Sequence, residues 1–327
     1  MKPSSIKKAL KTTISTKQPT FVWGPPGVGK SQVVAQVAAE EKLQLIDIRA
    51  VLLDPVDLRG LPHVNGDNRA HWCQPDFLPR KGKGILFLDE LNAAPQLVQA
   101  ACYQLVLDRK LGEYELPPGW TVMAAGNRET DRAVTNRMPS ALANRFIHLH
   151  FEVDLDDWIT WALSAGVQTE LISFLRFRPA LLHSFDPQKN EKAFPSPRSW
   201  EFISKTLAAT PAKDIEYELF CGTVGEGAAA EFAGFLKICR NLPSADVILM
   251  SPNTAEVPSD PATLYAVCGA LSPKASENTI DRLVQYANRL PAEFSVLLMR
   301  DCVRQAKEIV NTRPFIEWAT AHKEVLI

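Results

Sequence analysis

The sequence has almost no net charge, no long apolar run, no paired cysteines and no repeat. With 36 Lys and Arg against 37 Asp and Glu, the formal net charge is −1. No global field therefore draws the chain to nucleic acid or to anionic lipid. No apolar run approaches membrane-spanning length, which gives an expectation of no membrane insertion. Lys2, Lys7, Lys8, Lys11 and Lys17 crowd the N-terminal stretch without an apolar segment after them, so it does not read as a signal peptide. Ile6, Leu10 and Ile14 fall one helical turn apart there, predicting a short amphipathic helix with a basic solvated face. The six cysteines (Cys73, Cys102, Cys221, Cys239, Cys268 and Cys302) form no C-x-x-C pair, the pattern of reduced thiols in a cytoplasmic protein. The six histidines are equally dispersed. His148 and His150 share a strand face but have no third ligand nearby in sequence, so a zinc site is not expected.

What is present is an ordinary globular composition, 46% apolar and 22% charged, in 327 residues. That length predicts two or three units rather than one. The first half alternates strands with helical stretches, the pattern of a parallel sheet covered on both faces. The expected strands are Thr20–Trp23, Gln44–Ile48, Ile85–Asp89, Thr121–Ala125 and Phe146–Val153. Asn65-Gly66 predicts a tight turn in an inserted hairpin over Leu61–Trp72, and a second hairpin is expected around Gly112–Trp120. After residue 153 the β signal fades. Helices are expected at Leu155–Ala165, Thr169–Phe177, Pro197–Ala209, Ile215–Cys221 and Ala228–Arg240. Beyond a proline-rich connector at Ser251–Pro261, further helices are expected at Ala262–Leu271, Glu277–Leu290, Ala292–Val310 and Pro314–Lys323. The expected organisation is an α/β core over residues 1–153, a helical lid over 154–250 and a helical C-terminal extension over 251–327.

One stretch carries most of the chemistry. Gly24-Pro25-Pro26-Gly27-Val28-Gly29-Lys30-Ser31 matches G-x-x-x-x-G-K-[ST] between an apolar strand and a helical pattern that begins near Gln32. The three glycines let the backbone curl with its N–H groups inward, and the new helix adds the positive end of its dipole. Lys30 is placed to reach β- and γ-phosphates, and the Ser31 hydroxyl to ligate Mg²⁺. A second motif, Ile85-Leu86-Phe87-Leu88-Asp89-Glu90, sends two carboxylates to the C-terminal edge of a buried strand. Asp89 is read as the Mg²⁺ partner and Glu90 as the base that activates water. Asn127, at the tip of the next strand, either contacts the γ-phosphate or attacking water, or is a turn residue.

In this order, GPPGVGKS, ILFLDE, AAGNRETD (Ala124–Asp131), MPSALANRF (Met138–Phe146) and SPRSW (Ser196–Trp200) resemble the AAA+ ATPases. Within them the set resembles the MoxR-type branch, which includes CbbQ-like proteins and the dynein-related AAA domain. The resemblance covers residues 15 to 210. It implies a P-loop core with a five-stranded parallel sheet and hairpin insertions, ATP with Mg²⁺, and a homo-oligomeric ring, a hexamer. Asn127 falls at the family's first sensor, Arg145 at its trans-acting arginine finger, and Arg198 at its second sensor, with Arg137 as rival or helper to Arg145. It further implies a protein client and a partner with a von Willebrand factor A domain. Arg59, His63 and Trp72 lie on or near the first insertion, where packing is the expectation for Trp72. The competing readings are a nucleic-acid motor or loader, a nucleotide-gated scaffold that does not hydrolyse, and a preference for GTP over ATP. Since no basic, aromatic-studded segment is present, added duplex DNA is expected to leave nucleotide hydrolysis unchanged. Salt-dependent DNA binding that stimulates turnover would overturn that expectation.

Overall fold

The computed structural model describes residues 1–64, 66, 70–131, 138–189 and 191–323. They form two units. The first is Met1–Asp154 with Phe185–Asn190, and the second is Leu155–Ser184 with Glu191–Ile327.

The first unit is built on nine strands: β1 (Thr20–Trp23), β2 (Gln44–Arg49), β3 (Leu61–Val64), β4 (Ala70–Cys73), β5 (Lys83–Asp89), β6 (Lys110–Leu111), β7 (Tyr114–Glu115), β8 (Gly119–Gly126) and β9 (Ile147–His150). Five of them make one parallel sheet in the order β2-β5-β8-β1-β9. The chain leaves β1 toward one edge of the sheet and later returns to β1's other side as β9. The carboxyl ends around β1 therefore form the crevice where open α/β sheets place their sites.

Alternation along β5 explains the layering. Ile85 and Phe87 face a cluster with Val33, Val34 and Val37 of α2 (Lys30–Glu40) and with Ile6 and Leu10 of α1 (Pro3–Ser15). Leu86 and Leu88 face the other cluster, with Leu58 of α3 (Pro55–Arg59), Val98, Cys102 and Leu105 of α4 (Gln96–Asp108), and Leu142 of α5 (Ser140–Ala143). All four β5 residues are fully buried, as a strand covered on both faces requires. Close packing at the strand's start needs glycine. A Cβ on Gly84 would lie 2.4 Å from the Gln44 carbonyl oxygen and 2.6 Å from the Trp120 ring.

Strand β9 is shorter than the expected Phe146–Val153. Past His150 its neighbour β1 has ended: Phe151 N–H donates to Trp23 O as the last bond of the ladder, and Glu152 N–H turns to Met1 O instead. The first insertion is the antiparallel pair β3-β4, whose turn residue Asn65 lies outside the described residues. The second is the pair β6-β7, turning at Gly112-Glu113, at the start of the stretch where a hairpin is expected.

The second unit is helical: α6 (Leu155–Ser164), α7 (Thr169–Phe177), α8 (Pro197–Ala208), α9 (Lys213–Val224), α10 (Glu226–Asn241), α11 (Ala245–Met250), α12 (Pro261–Leu271), α13 (Ile280–Ala287), α14 (Ala292–Gln305) and α15 (Arg313–Ala321). Sequence periodicity misses α11, a six-residue helix started by the Ser244 side chain. It also starts α13 too early, because Thr279 Oγ1 accepts from Ser276 N–H in a side-chain turn that replaces the first helical turn. Phe174, Trp200, Phe220, Phe232 and Phe235 from α7 to α10 make one aromatic cluster. Helix α12 lies close on α7, where a Cβ on Gly269 would fall 2.0 Å from Ser173 Oγ. Residues on both sides of residue 250 thus pack within the same unit.

A buried ion pair spans this unit. Arg176 on α7 pairs with Asp301 on α14, with 6% and 3% of their side chains exposed, and Arg176 Nη2 donates to Asp301 Oδ1 at 2.7 Å. Breaking such a pair strands a charge, whereas replacing both partners with apolar groups does not. Asp301→Ala is expected to lower stability by roughly 3–5 kcal/mol, and Arg176→Met combined with Asp301→Leu to stay within about 1 kcal/mol of the starting protein or exceed it. Urea denaturation of the three proteins measures both.

Candidate functional site

The site grows from the turn between β1 and α2. Gly27 and Gly29 take φ of 76° and 96°, left-handed values that turn the chain sharply into the helix. Gly24 N–H donates to Gly126 O at 3.2 Å, which pins the loop's start to the end of β8. Its own Cα is crowded, since a Cβ there would meet Phe151 Cβ at 3.0 Å. Val28 is buried and anchors the loop, Pro25 and Pro26 are half-buried, and Gln32 is exposed. No side chain caps the start of α2. Its first turn therefore has the arrangement of a helix N-terminus suited to an anion.

Lys30 and Ser31 then reach two different strands. Lys30 Nζ donates to Gly24 O at 2.8 Å, to Pro25 O at 3.0 Å and to Asn127 Oδ1 at 2.9 Å. Ser31 Oγ donates to Asp89 Oδ2 at 2.6 Å. The other carboxylate oxygen, Asp89 Oδ1, accepts from Glu90 N–H at 2.9 Å. Glu90 itself sits at φ 56°, a left-handed conformation uncommon for a residue with a side chain. That bend ends β5 and starts the turn Leu91–Ala93. Lys30, Ser31, Asp89, Glu90 and Asn127 are thus gathered at one edge of the sheet.

The arginines are carried by other elements. Arg145 is exposed just after α5, in the link to β9, and its N–H donates to Leu142 O. Arg137 lies outside the described residues. Arg198 is exposed in the first turn of α8 in the second unit. That turn is fixed by a reciprocal cap, with Ser199 N–H to Ser196 Oγ at 3.1 Å and Ser196 N–H to Ser199 Oγ at 2.7 Å.

Some residues that hold the site carry no motif. Asn92 Nδ2 donates to the Asn127 backbone oxygen at 2.7 Å. Arg128 donates to Phe151 O at 2.7 Å, beside Gly24. His148 accepts from the Trp23 indole at Nδ1 (2.8 Å) and bonds Ala143 O through Nε2 (2.8 Å), so both ring nitrogens are in use within the chain. Asn92 had one usable signal, a lone amide in an otherwise apolar turn directly after the two acids.

The Asp47 carboxyl on β2 is held above its usual range, first by desolvation and then by the charge of Asp89, with Arg49 opposing. Ser31 Oγ and the Asp89 carboxylate together offer oxygen ligands of the kind Mg²⁺ selects. The insertion β3-β4 stands out from this edge in a different way. Leu61 and Val64 are each 64% exposed and Trp72 is 39% exposed, so packing does not cover Trp72 as the sequence suggested.

Residues 19–146 match the AAA domain (dynein-related subfamily). Over 188 residues the chain is 24% identical to midasin of Giardia intestinalis, a match covering 53% of this chain and 4% of that much longer protein. Among solved structures, NtrX of Brucella abortus in complex with ADP aligns with a TM-score of 0.44 and 14% identity, over 98% of this chain and 67% of that one. The RuvB Holliday junction branch migration motor of Thermotoga maritima aligns with a TM-score of 0.37 and 14% identity, over 97% of this chain and 87% of its own.

The left-handed loop geometry is testable by stability alone. Gly29→Ala keeps open space around the new methyl, whose nearest neighbour would be Gln32 Oε1 at 3.7 Å, but forces a strained φ. It is expected to lower the unfolding free energy by about 1–3 kcal/mol in chemical denaturation.

Proposed function

We propose, from an AAA domain of the dynein-related subfamily at residues 19–146, that this chain binds and hydrolyses ATP with Mg²⁺ as a MoxR-type ring ATPase acting on a protein client. The observation that carries the proposal is the hydrogen-bonded set itself. Lys30 is tied to Asn127 and Ser31 to Asp89, so the phosphate loop and both strand ends form one connected site.

In this reading the backbone of Gly24–Gly29 and the start of α2, through Gln32, cradle the phosphates. Lys30 exchanges its loop carbonyls for β- and γ-phosphate oxygens. Ser31 Oγ and Asp89 hold the metal ion, whose chemistry there is to offset phosphate charge. Glu90 accepts the proton of the attacking water, and its backbone is fixed beside Asp89, whose Oδ1 accepts from Glu90 N–H. Asn127 orients that water while its Oδ1 remains the acceptor for Lys30. Arg145, exposed after α5, acts on nucleotide held by the neighbouring copy, where a guanidinium stabilises charge developing on the γ-phosphate. Arg198 reports on the nucleotide from the second unit, with residues 154–250 as lid and 251–327 as extension.

A finger supplied in trans makes a ring, a hexamer, the working form. The exposed Leu61, Val64 and Trp72 of the β3-β4 insertion offer apolar contacts for a client. A partner with a von Willebrand factor A domain and a cytoplasmic setting complete the proposal. Among the described residues no helix is long and apolar enough to cross a membrane.

Two variants test the roles. Glu90→Gln is expected to retain ATP and favour assembly while turnover falls by about 10²–10⁴-fold. Arg145→Ala is expected to lose turnover by about 10³-fold or more while still binding ATP. Steady-state phosphate release and equilibrium nucleotide binding read both. Undiminished turnover in Glu90→Gln would remove Glu90 as the base, and lost binding in Arg145→Ala would place that arginine at its own subunit's nucleotide.

A further inference from the structure

We infer that Asn92 is the positioning residue that holds Asn127 in place, so that turnover depends on Asn92 while nucleotide affinity does not. The inference deepens the nucleotide reading above and rests on it.

Asn92 is 2% exposed, between the fully buried Leu91 and Ala94, in the turn that follows Glu90. Its Nδ2 donates to Asn127 O at 2.7 Å, and the Asn127 side chain accepts from Lys30 at 2.9 Å. The turn that carries Asn92 is closed by Ala93 N–H donating to Glu90 O at 2.9 Å. One side chain therefore ties the bend of the proposed base to the residue that contacts the loop lysine.

The amide has only one workable orientation. Its Oδ1 is buried with no donor among the described residues. Turning the amide over would set that oxygen against the Asn127 carbonyl, acceptor against acceptor. A buried acceptor without a donor is unfavourable, and an apolar side chain of similar volume would avoid it. The donor half of the amide is then the part that acts. The space for it comes from Gly126, where a Cβ would fall 2.0 Å from Asn92 Oδ1. Gly126 is thus restricted to glycine by the amide it must accommodate.

The test uses the full chain with Mg²⁺ and ATP, reading kcat, the Kd of a fluorescent ATP analogue, and Tm. Asn92→Ala is expected to lower kcat about tenfold or more, with Kd changed by less than about threefold. Asn92→Asp gives a second signature. Ionised, the carboxylate opposes the Asn127 carbonyl; protonated, it donates to it. Over the pH range in which the Tm of the variant stays constant, the ratio of its kcat to that of the unsubstituted chain is therefore expected to rise as pH falls, whereas a space-filling role would change Tm and kcat together. Where Asn92→Ala does not fold, this ratio decides alone. Asn92→Ala with kcat within about twofold of the unsubstituted chain overturns the inference, as do kcat and affinity falling together or a ratio flat with pH. An unsubstituted chain that neither binds nor hydrolyses ATP overturns the nucleotide reading and this inference with it, and is seen without any variant.

Discussion

The bond from Lys30 to Asn127 is the contact on which the site depends. It joins the first residue of α2 to the tip of β8, two elements nearly a hundred residues apart in sequence. Because Lys30 also holds Gly24 O and Pro25 O, the loop is closed over its own lysine, with the ammonium at its centre. Everything else at this edge serves that placement. The glycine φ values turn the loop, Val28 anchors it in the core, and the bond from Gly24 N–H to Gly126 O fixes its start to the strand end that Asn127 follows.

The parallel sheet makes this closure possible. Inserting β8 and β5 between β1 and β2 brings Asp89 and Asn127 to the crevice beside the loop. Burial of β5 on both faces fixes its register, since a one-residue slip would exchange the residues facing α2 with those facing α4. Asp89 and Glu90 are therefore located by apolar residues. Ile85 to Leu88 set where Asp89 and Glu90 emerge, and the left-handed bend at Glu90 sets which way the chain leaves.

The second unit is organised by different physics. An aromatic cluster and close helix crossings supply its bulk, and one buried charge pair between α7 and α14 adds direction to a mostly apolar interior. Such a pair rewards one mutual arrangement of the two helices and penalises others, because any misfit leaves a charge without its partner.

Much of the sheet and the ends of its motifs were legible in the sequence. Strand β1 spans Thr20–Trp23 and α7 spans Thr169–Phe177, as expected, because both are short patterns bounded by strong breakers. The ends of β9 and α13 were not, because one depends on where a neighbouring strand stops and the other on a side-chain turn that competes with helix. The sequence by itself determined the chemical inventory: a glycine-rich loop, a lysine, a hydroxyl and two acids whose spacing admits few geometries. Only the tertiary structure decided which atoms meet. It revealed Asn92 as the tie to Asn127, the use of both His148 nitrogens and the exposure of Trp72. Those contacts join residues far apart in the chain, so no local pattern encodes them, and they exist only once the sheet order brings the strand ends together.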